Sequence, residues 1–170
     1  NCDIHLTDKL AVYFEEVRKR LELPWVPPCV NRSDATFKVV DGALVYALGA
    51  LKNVGVEAMR LIEQGRAGKP FTTLFDVARR VDLKRVGKRP LEMLARSGAF
   101  DVLDSNRRRV FGALDALVAY SAAIHEQKAS NQVSLFGEAG DDLPEPRMMP
   151  GDDWEAPERL TEEFKAVGFY

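Results

Sequence analysis

Leu48-Gly49-Ala50-Leu51-Lys52-Asn53-Val54-Gly55-Val56-Glu57-Ala58-Met59 is the stretch on which the fold of this chain turns. A strand-like run precedes it, and after it Ala58, Leu61 and Ile62 recur at helical spacing. Between the two, Asn53-Val54-Gly55 is too short and too flexible for anything but a tight hairpin. Asn and Gly accept positive φ most readily, so both Asn53 and Gly55 are expected to reverse the chain there. A hairpin feeding a helix leaves the N–H groups of Val54, Gly55 and Val56 without intrahelical acceptors. Such a helix start carries partial positive charge and suits a phosphate.

The pattern resembles the helix-hairpin-helix element, whose hairpin reads leucine, any residue, glycine, hydrophobic, glycine. Leu51, Val54 and Gly55 match, and Asn53 stands where the first glycine is usual. A turn with one glycine ahead of a helix is common, so the rest of the chain has to decide between this element and a plain turn.

Working outward on the N-terminal side, Thr36–Val40 and Ala43–Leu48 flank Asp41-Gly42, which predicts a β-hairpin. Leu23–Val30 holds Pro24, Pro27 and Pro28 and is expected to be an extended edge segment. Thr7 is placed to cap a helix to about Arg20, with Leu10, Tyr13, Phe14, Val17 and Leu21 on one face.

On the other side, the helix from Val56 is expected to stop at Gly65. Thr73 and Asp76 form a capping box for a short helix over Leu74–Val81. Lys84-Arg85-Val86-Gly87-Lys88-Arg89 makes a second, basic turn, with Pro90 in the first turn of a helix that ends at Ser97-Gly98. Asn106 is placed to cap a long helix to about Lys128, burying Val110, Leu114, Leu117 and Ile124. After Ser130 comes a segment rich in Gly, Asp, Glu and Pro. A last helix over Pro157–Val167 is expected to turn Leu160, Phe164 and Val167 inward.

Composition narrows the class. A hydrophobic content of 46% in 170 residues supports a core. No apolar run approaches the roughly 18 residues that would span a bilayer, so no membrane partner is expected. Cys2 and Cys29 form no CxxC pair, which speaks against a disulfide scaffold or structural zinc and fits a reducing cytoplasm. The chain starts at Asn1 without methionine or leader and reads as part of something longer. Its net charge of −2 conceals a division. From Arg79 to Arg109 ten Lys/Arg face four acids, whereas from Glu138 to Glu163 ten acids face Arg147 and Arg159. Polyanion binding, if present, belongs to the first block.

The runs Pro27-Pro28-Cys29-Val30-Asn31, Tyr46 through Gly55, Pro70-Phe71 to Phe75-Asp76, and Ser97-Gly98-Ala99-Phe100-Asp101 follow one another along the chain. In this order they resemble the bacterial DNA polymerase III alpha subunit family of replicative polymerases. The resemblance implies a mostly α fold with a small β-hairpin, divided along the chain. Residues 1–45 would be the end of the fingers, an α/β piece, and 46–129 a tandem helix-hairpin-helix region. Residues 130–156 would be a flexible linker, and 157–170 the start of a following domain. It implies a DNA-directed DNA polymerase, a nucleotidyltransferase, whose Mg²⁺ and catalytic aspartates lie in a palm outside this stretch. No cofactor and no catalytic residue is expected here.

Candidate sites follow. The DNA-binding set is Lys52, Asn53, Val54, Gly55 and Val56 of the first hairpin with Lys84, Arg85, Gly87, Lys88 and Arg89 of the second. Two such turns would meet successive phosphates of a duplex, positioning the protein without reading sequence. The competing view is that a charge run is a solvated helix face. Gln132-Val133-Ser134-Leu135-Phe136 resembles the pentapeptide by which bacterial polymerases hold the sliding clamp. Leu135 and Phe136 would be its apolar anchors and Gln132 its register. The competing view packs the two apolar residues onto the local core. Other replicase subunits are possible partners. Two other readings are the error-prone paralogue used in damage tolerance and a helical protein-interaction module that does not bind DNA.

Two-metal phosphoryl transfer needs carboxylates held on rigid elements. Asp141-Asp142 and Asp152-Asp153 sit in a Gly/Pro-rich stretch with nothing to hold them and are expected to be solvated. His5 and His125 have no partners at metal-ligand spacing and are expected at the surface or capping helices. Cys29 is expected to be a small buried residue.

Overall fold

A computed structural model describes residues 24–133 and 143–167. The helix expected over 7–20 and residues 168–170 lie outside the described residues.

A three-stranded sheet opens the described chain: β1 (Trp25–Val26), β2 (Lys38–Val40) and β3 (Ala43–Val45), in the order β1-β3-β2. β2 and β3 form the expected antiparallel hairpin. Its turn has Asp41 at φ 52° and Gly42 at φ 76°, as a two-residue turn with both centres at positive φ requires. β1 runs parallel to β3 at the edge, where the flanking Pro24, Pro27 and Pro28 cost no ladder bonds. The strand expected to continue to Leu48 stops at Val45. Leu48–Ala50 instead form a 3₁₀ turn, because the N–H groups of Leu48 and Gly49 bond the carbonyls of Asp34 (2.9 Å) and Ala35 (3.0 Å) rather than a strand.

Among the described residues six helices follow: α1 (Val56–Arg66), α2 (Leu74–Arg80), α3 (Leu83–Val86), α4 (Lys88–Ser97), α5 (Arg107–Val133) and α6 (Ala156–Val167). The fold is mostly helical, as expected. α2 and α3 lie against α5, and α4 lies between α5 and α6. Met59, Ile62, Val77, Leu91, Leu94 and Leu114 centre the core, and α5 buries Val110, Leu117 and Ile124 as its spacing predicts.

Local capping chemistry is where the sequence places it. Thr73 accepts from the Asp76 N–H at 3.0 Å. The reciprocal bond goes one residue further back than a capping box, from the Thr72 N–H to Asp76 at 3.0 Å. Asn106 accepts from the Arg109 N–H at 3.0 Å, and Gly98 closes α4 at φ 83°.

α1 does not stop at Gly65; it runs to Arg66 and ends on Ala67 at φ 46°. Gly65 is a packing residue. A Cβ there would lie 2.5 Å from Val81 Cγ2 and 3.0 Å from the Arg80 carbonyl oxygen, so only glycine lets α1 approach the end of α2. Helix propensity alone would make Gly65→Ala stabilising by about 1 kcal/mol. Overpacking of a close contact costs about 1–3 kcal/mol and wins. Thermal denaturation of Gly65→Ala should therefore show a lowered midpoint.

Longer-range bonds join these parts. Arg66, 8% exposed, donates to the carbonyls of Val30 (2.8 Å) and Ser33 (2.7 Å) and pairs with Asp34. Asn31 donates to the Phe71 carbonyl (3.0 Å) and accepts from the Phe71 N–H (2.8 Å). On α5, Ser121, His125 and Lys128 meet the last carbonyls of α2, which have no intrahelical donors. His125 thus has a helix-capping role, 3.3 Å from the Ala78 carbonyl. Buried Ser121 also accepts from the Leu83 N–H at 3.0 Å, so it ties α2 to α3. Cys29 is half-buried.

α6 departs from its expected face. Ala166 and Val167 are buried, but Leu160 and Phe164 are 51% and 42% exposed.

Candidate nucleic-acid interface

The first hairpin turns its apolar residues inward, with Leu51 and Val54 buried. Asn53 takes positive φ, 58°, as expected. Gly55 does not: at φ −83° it is an extended helix cap. A Cβ at Gly55 would meet nothing within 4 Å, so a β-branched substitution there is not strained. The Val54 N–H is also not free, since it bonds the Leu51 carbonyl at 3.2 Å and closes the turn. The N–H groups of Gly55 and Val56 have no acceptor among the described residues.

Lys52 is engaged by the far end of the described chain. Its N–H donates to the Ala166 carbonyl at 2.8 Å, and its ammonium stands 5.7 Å from the centroid of the Phe164 ring.

The second turn is built differently. Asp82 caps α3 by accepting from the Lys84 N–H at 3.2 Å. Gly87 follows at φ 96°, ψ 149°, a region closed to residues with a Cβ, and its N–H closes α3 on the Leu83 carbonyl at 3.0 Å. α4 then starts without a side-chain cap. Lys88 and Arg89 present N–H groups that have no acceptor among the described residues, and Pro90 has none to present. Around them Lys84, Arg85, Lys88 and Arg89 are all exposed. Lys88 pairs with Asp115 at 3.0 Å, and that hydrogen bond raises its ammonium further above the ordinary lysine range. Lys84, Arg85 and Arg89 have no ion pair among the described residues.

Most of the remaining basic block is paired rather than solvated. Arg79 pairs with Glu145 and donates to the Tyr120 hydroxyl at 3.1 Å. Arg80 donates to the Arg66 and Lys69 carbonyls (2.6 and 2.7 Å) and lies over the Phe71 ring. Arg96 meets Glu162 at 2.9 Å, Arg107 meets Asp101 and Glu163, each at 2.9 Å, and Arg109 meets Asp104 at 2.8 Å. Pairing leaves the α3–α4 turn, together with exposed Arg108 in the first turn of α5, as the unburied remainder of the block.

The tail acids correct another expectation. Asp153 is held: it accepts from the N–H groups of Arg108 (3.1 Å) and Trp154 (2.8 Å) and pairs with Arg159. Its burial alone would push the carboxyl up, but the two N–H bonds and the Arg159 guanidinium outweigh it and hold Asp153 below the usual carboxylate range. No local pattern marks Asp153, Glu162 or Glu163 as structural. The one signal in the sequence is the opposition of the basic and acidic blocks. Asp141 and Asp142 lie outside the described residues. Among the described residues no three His, Cys, Asp or Glu side chains group to hold a metal ion, and no helix is long and apolar enough to cross a membrane.

Gln132 and Val133 are the last two residues of α5, while Ser134, Leu135 and Phe136 lie outside the described residues.

With this geometry go the likenesses to known proteins. Residues 22–110 match the helix-hairpin-helix motif model, and the chain belongs to that family. Along its whole length it is similar to one particular protein, DNA polymerase III subunit alpha. It is 41% identical over 171 residues to the Caulobacter vibrioides subunit, which covers 100% of this chain and 15% of the relative. It is 36% identical over 167 residues to that of Thermus aquaticus, covering 98% and 13%. Against the subunit of Neisseria meningitidis serogroup A it is 34% identical over 172 residues, covering 100% and 15%. The chain thus spans about 15% of the length of these relatives.

Proposed function

We propose that this chain is a DNA-engaging segment of a bacterial replicative polymerase, holding duplex DNA by its phosphates and carrying no part of the active site. The observation that carries the reading is the α3–α4 turn. There, exposed Lys84, Arg85, Lys88 and Arg89 surround two N–H groups without acceptors, at the partially positive start of α4. Backbone donors and mobile cations suit phosphate oxygens of any sequence. The relatives' name, DNA polymerase III subunit alpha, supplies the setting. Template-directed synthesis, with its carboxylates and Mg²⁺, would then belong to parts of the polymerase beyond this chain.

Gln132–Phe136 is proposed as the tether to the sliding clamp, at the end of the long α5 and ahead of the acidic tail. A cytoplasmic location goes with both proposed partners.

Fluorescence anisotropy with duplexes of unrelated sequence tests the reading. Equal affinities are expected, and log K should fall linearly with log salt by about 0.9 for each phosphate contact. Binding that ignores salt, or none at all, would favour the helical protein-interaction module.

A further inference from the structure

We propose that the tail, residues 143–167, is an internal competitor of duplex DNA, seated on the first hairpin and on part of the basic block. The proposal rests on the DNA-engaging reading above. Its basis is where the tail places its acceptors.

Carboxylates of the tail occupy groups of the kind that hold phosphates. Asp153 takes the Arg108 N–H in the first turn of α5 at 3.1 Å. Glu162 and Glu163 take the guanidinium groups of Arg96 and Arg107, each at 2.9 Å. Glu145 takes Arg79. α6 then ends on the first hairpin, where the Ala166 carbonyl binds the Lys52 N–H at 2.8 Å and Phe164 faces its ammonium.

A phosphate that approached the first hairpin through Lys52 would meet α6 already there. The α3–α4 turn has no such cover among the described residues, so a duplex can land on it first. Engagement of the first hairpin then requires α6 to leave.

The seat of α6 suits displacement. Of its twelve residues only Ala166 and Val167 are buried, and Arg159, Glu162 and Glu163 pair with charged residues of the body. Arg159 clasps the helix to the body at Asp101 and pairs within the tail with Asp153, which itself holds the Arg108 N–H. The Arg159 pairs are partly exposed, and such pairs are weak and screened by salt, so a polyanion competes with them directly. Arg96–Glu162 and Arg107–Glu163 are more buried and yield after the clasp opens. Competition is reciprocal: whatever α6 takes from DNA affinity, DNA takes from α6 docking.

Two variants of the whole chain separate this from plain charge effects. Ala166→Glu puts a carboxylate where the side chain is fully buried, and Arg159→Ala cuts the clasp. Each makes the protein one charge more negative, so simple electrostatics predicts weaker duplex binding. Competition predicts tighter binding, by about fivefold or more, with a log–log salt slope about one unit steeper as Lys52 becomes available.

Amide exchange at Lys52 should quicken in both variants, while exchange at Leu114 in the α5 core stays slow and shows the body folded. Duplex binding that is equal or weaker in both, with Lys52 exchange quickened, overturns the competition and leaves the DNA reading standing. Unchanged Lys52 exchange in both overturns the charge-held seat and the proposal with it. No duplex binding by parent or variants at low salt overturns the DNA reading itself.

Discussion

Arg66→Ala should cost on the order of 3–5 kcal/mol, enough to unfold a large part of the population at 37 °C. Arg66 is 8% exposed, and its guanidinium serves three acceptors at once: the carbonyls of Val30 and Ser33 and the carboxylate of Asp34. Truncation leaves two buried carbonyls without donors and Asp34 with Lys38, 3.1 Å away, as its remaining cation. The magnitude comes from those abandoned partners rather than from the pair's own worth. Lys in place of Arg should recover little, because an ammonium cannot span three acceptors that the planar fork reaches together. Denaturant unfolding checks it: a midpoint within error of the parent would mean that water replaces the guanidinium at no cost.

The second large effect falls on the clamp tether. Changing Leu135 and Phe136 to Ala should abolish binding to purified bacterial sliding clamp while leaving the melting temperature of the helical body nearly unchanged. A five-residue anchor has modest affinity, on the order of micromolar or about −8 kcal/mol. Two buried apolar side chains supply most of it. Weak binding suffices, since a polymerase that also holds the encircled DNA meets the clamp at high local concentration. Packing of Leu135 and Phe136 onto the local core predicts the opposite pair of results: a lowered melting temperature and no clamp binding even by the parent. Titration calorimetry with the clamp and thermal melts of parent and variant decide between them.

Acid should act on the tail. A group whose folded pKa is depressed stabilises the fold above its unfolded pKa, about 3.9 for Asp, and that contribution fades as pH falls through the lower folded value. Asp153 is such a group, held down by two N–H bonds and Arg159 against the opposing effect of burial. Trp154 lies beside it, 5.7 Å from Phe111 on α5, and its fluorescence reports docking. The signal should change below about pH 4 in the parent. An Asp153→Asn variant should lack that acid step; an identical step would assign it to another carboxylate.

What could be read from the sequence was chemistry that closes within a few residues. Asp41-Gly42, Asn53, Thr73, Asn106 and the Gly98 stop each state a local backbone need, and the structure meets each one. Gly65 shows the limit. Its meaning lies in Val81 and the Arg80 carbonyl, sixteen and fifteen residues away, so a rule about glycine as a helix stop misplaces the end of α1. Gly55 fails for a related reason: Asn53 alone supplies the reversal, and the helix cap that follows needs no positive φ. The basic block was visible, but pairing partners more than fifty residues distant, Glu145, Glu162 and Glu163, decide which of its cations stay exposed. Charge counting sees the two blocks and not their docking.

The measurement closest to the central claim compares two double charge reversals of equal net charge. Lys84→Glu/Arg85→Glu alters the α3–α4 turn, and Arg32→Glu/Lys69→Glu alters exposed cations elsewhere on the body. If the turn holds phosphates, the first variant should lower the log–log salt slope for duplex binding by about two units and weaken affinity at low salt by about a hundredfold or more, while the second shifts both only slightly. Equal weakening by the two variants would contradict the claim, returning Lys84 and Arg85 to an ordinary solvated helix face.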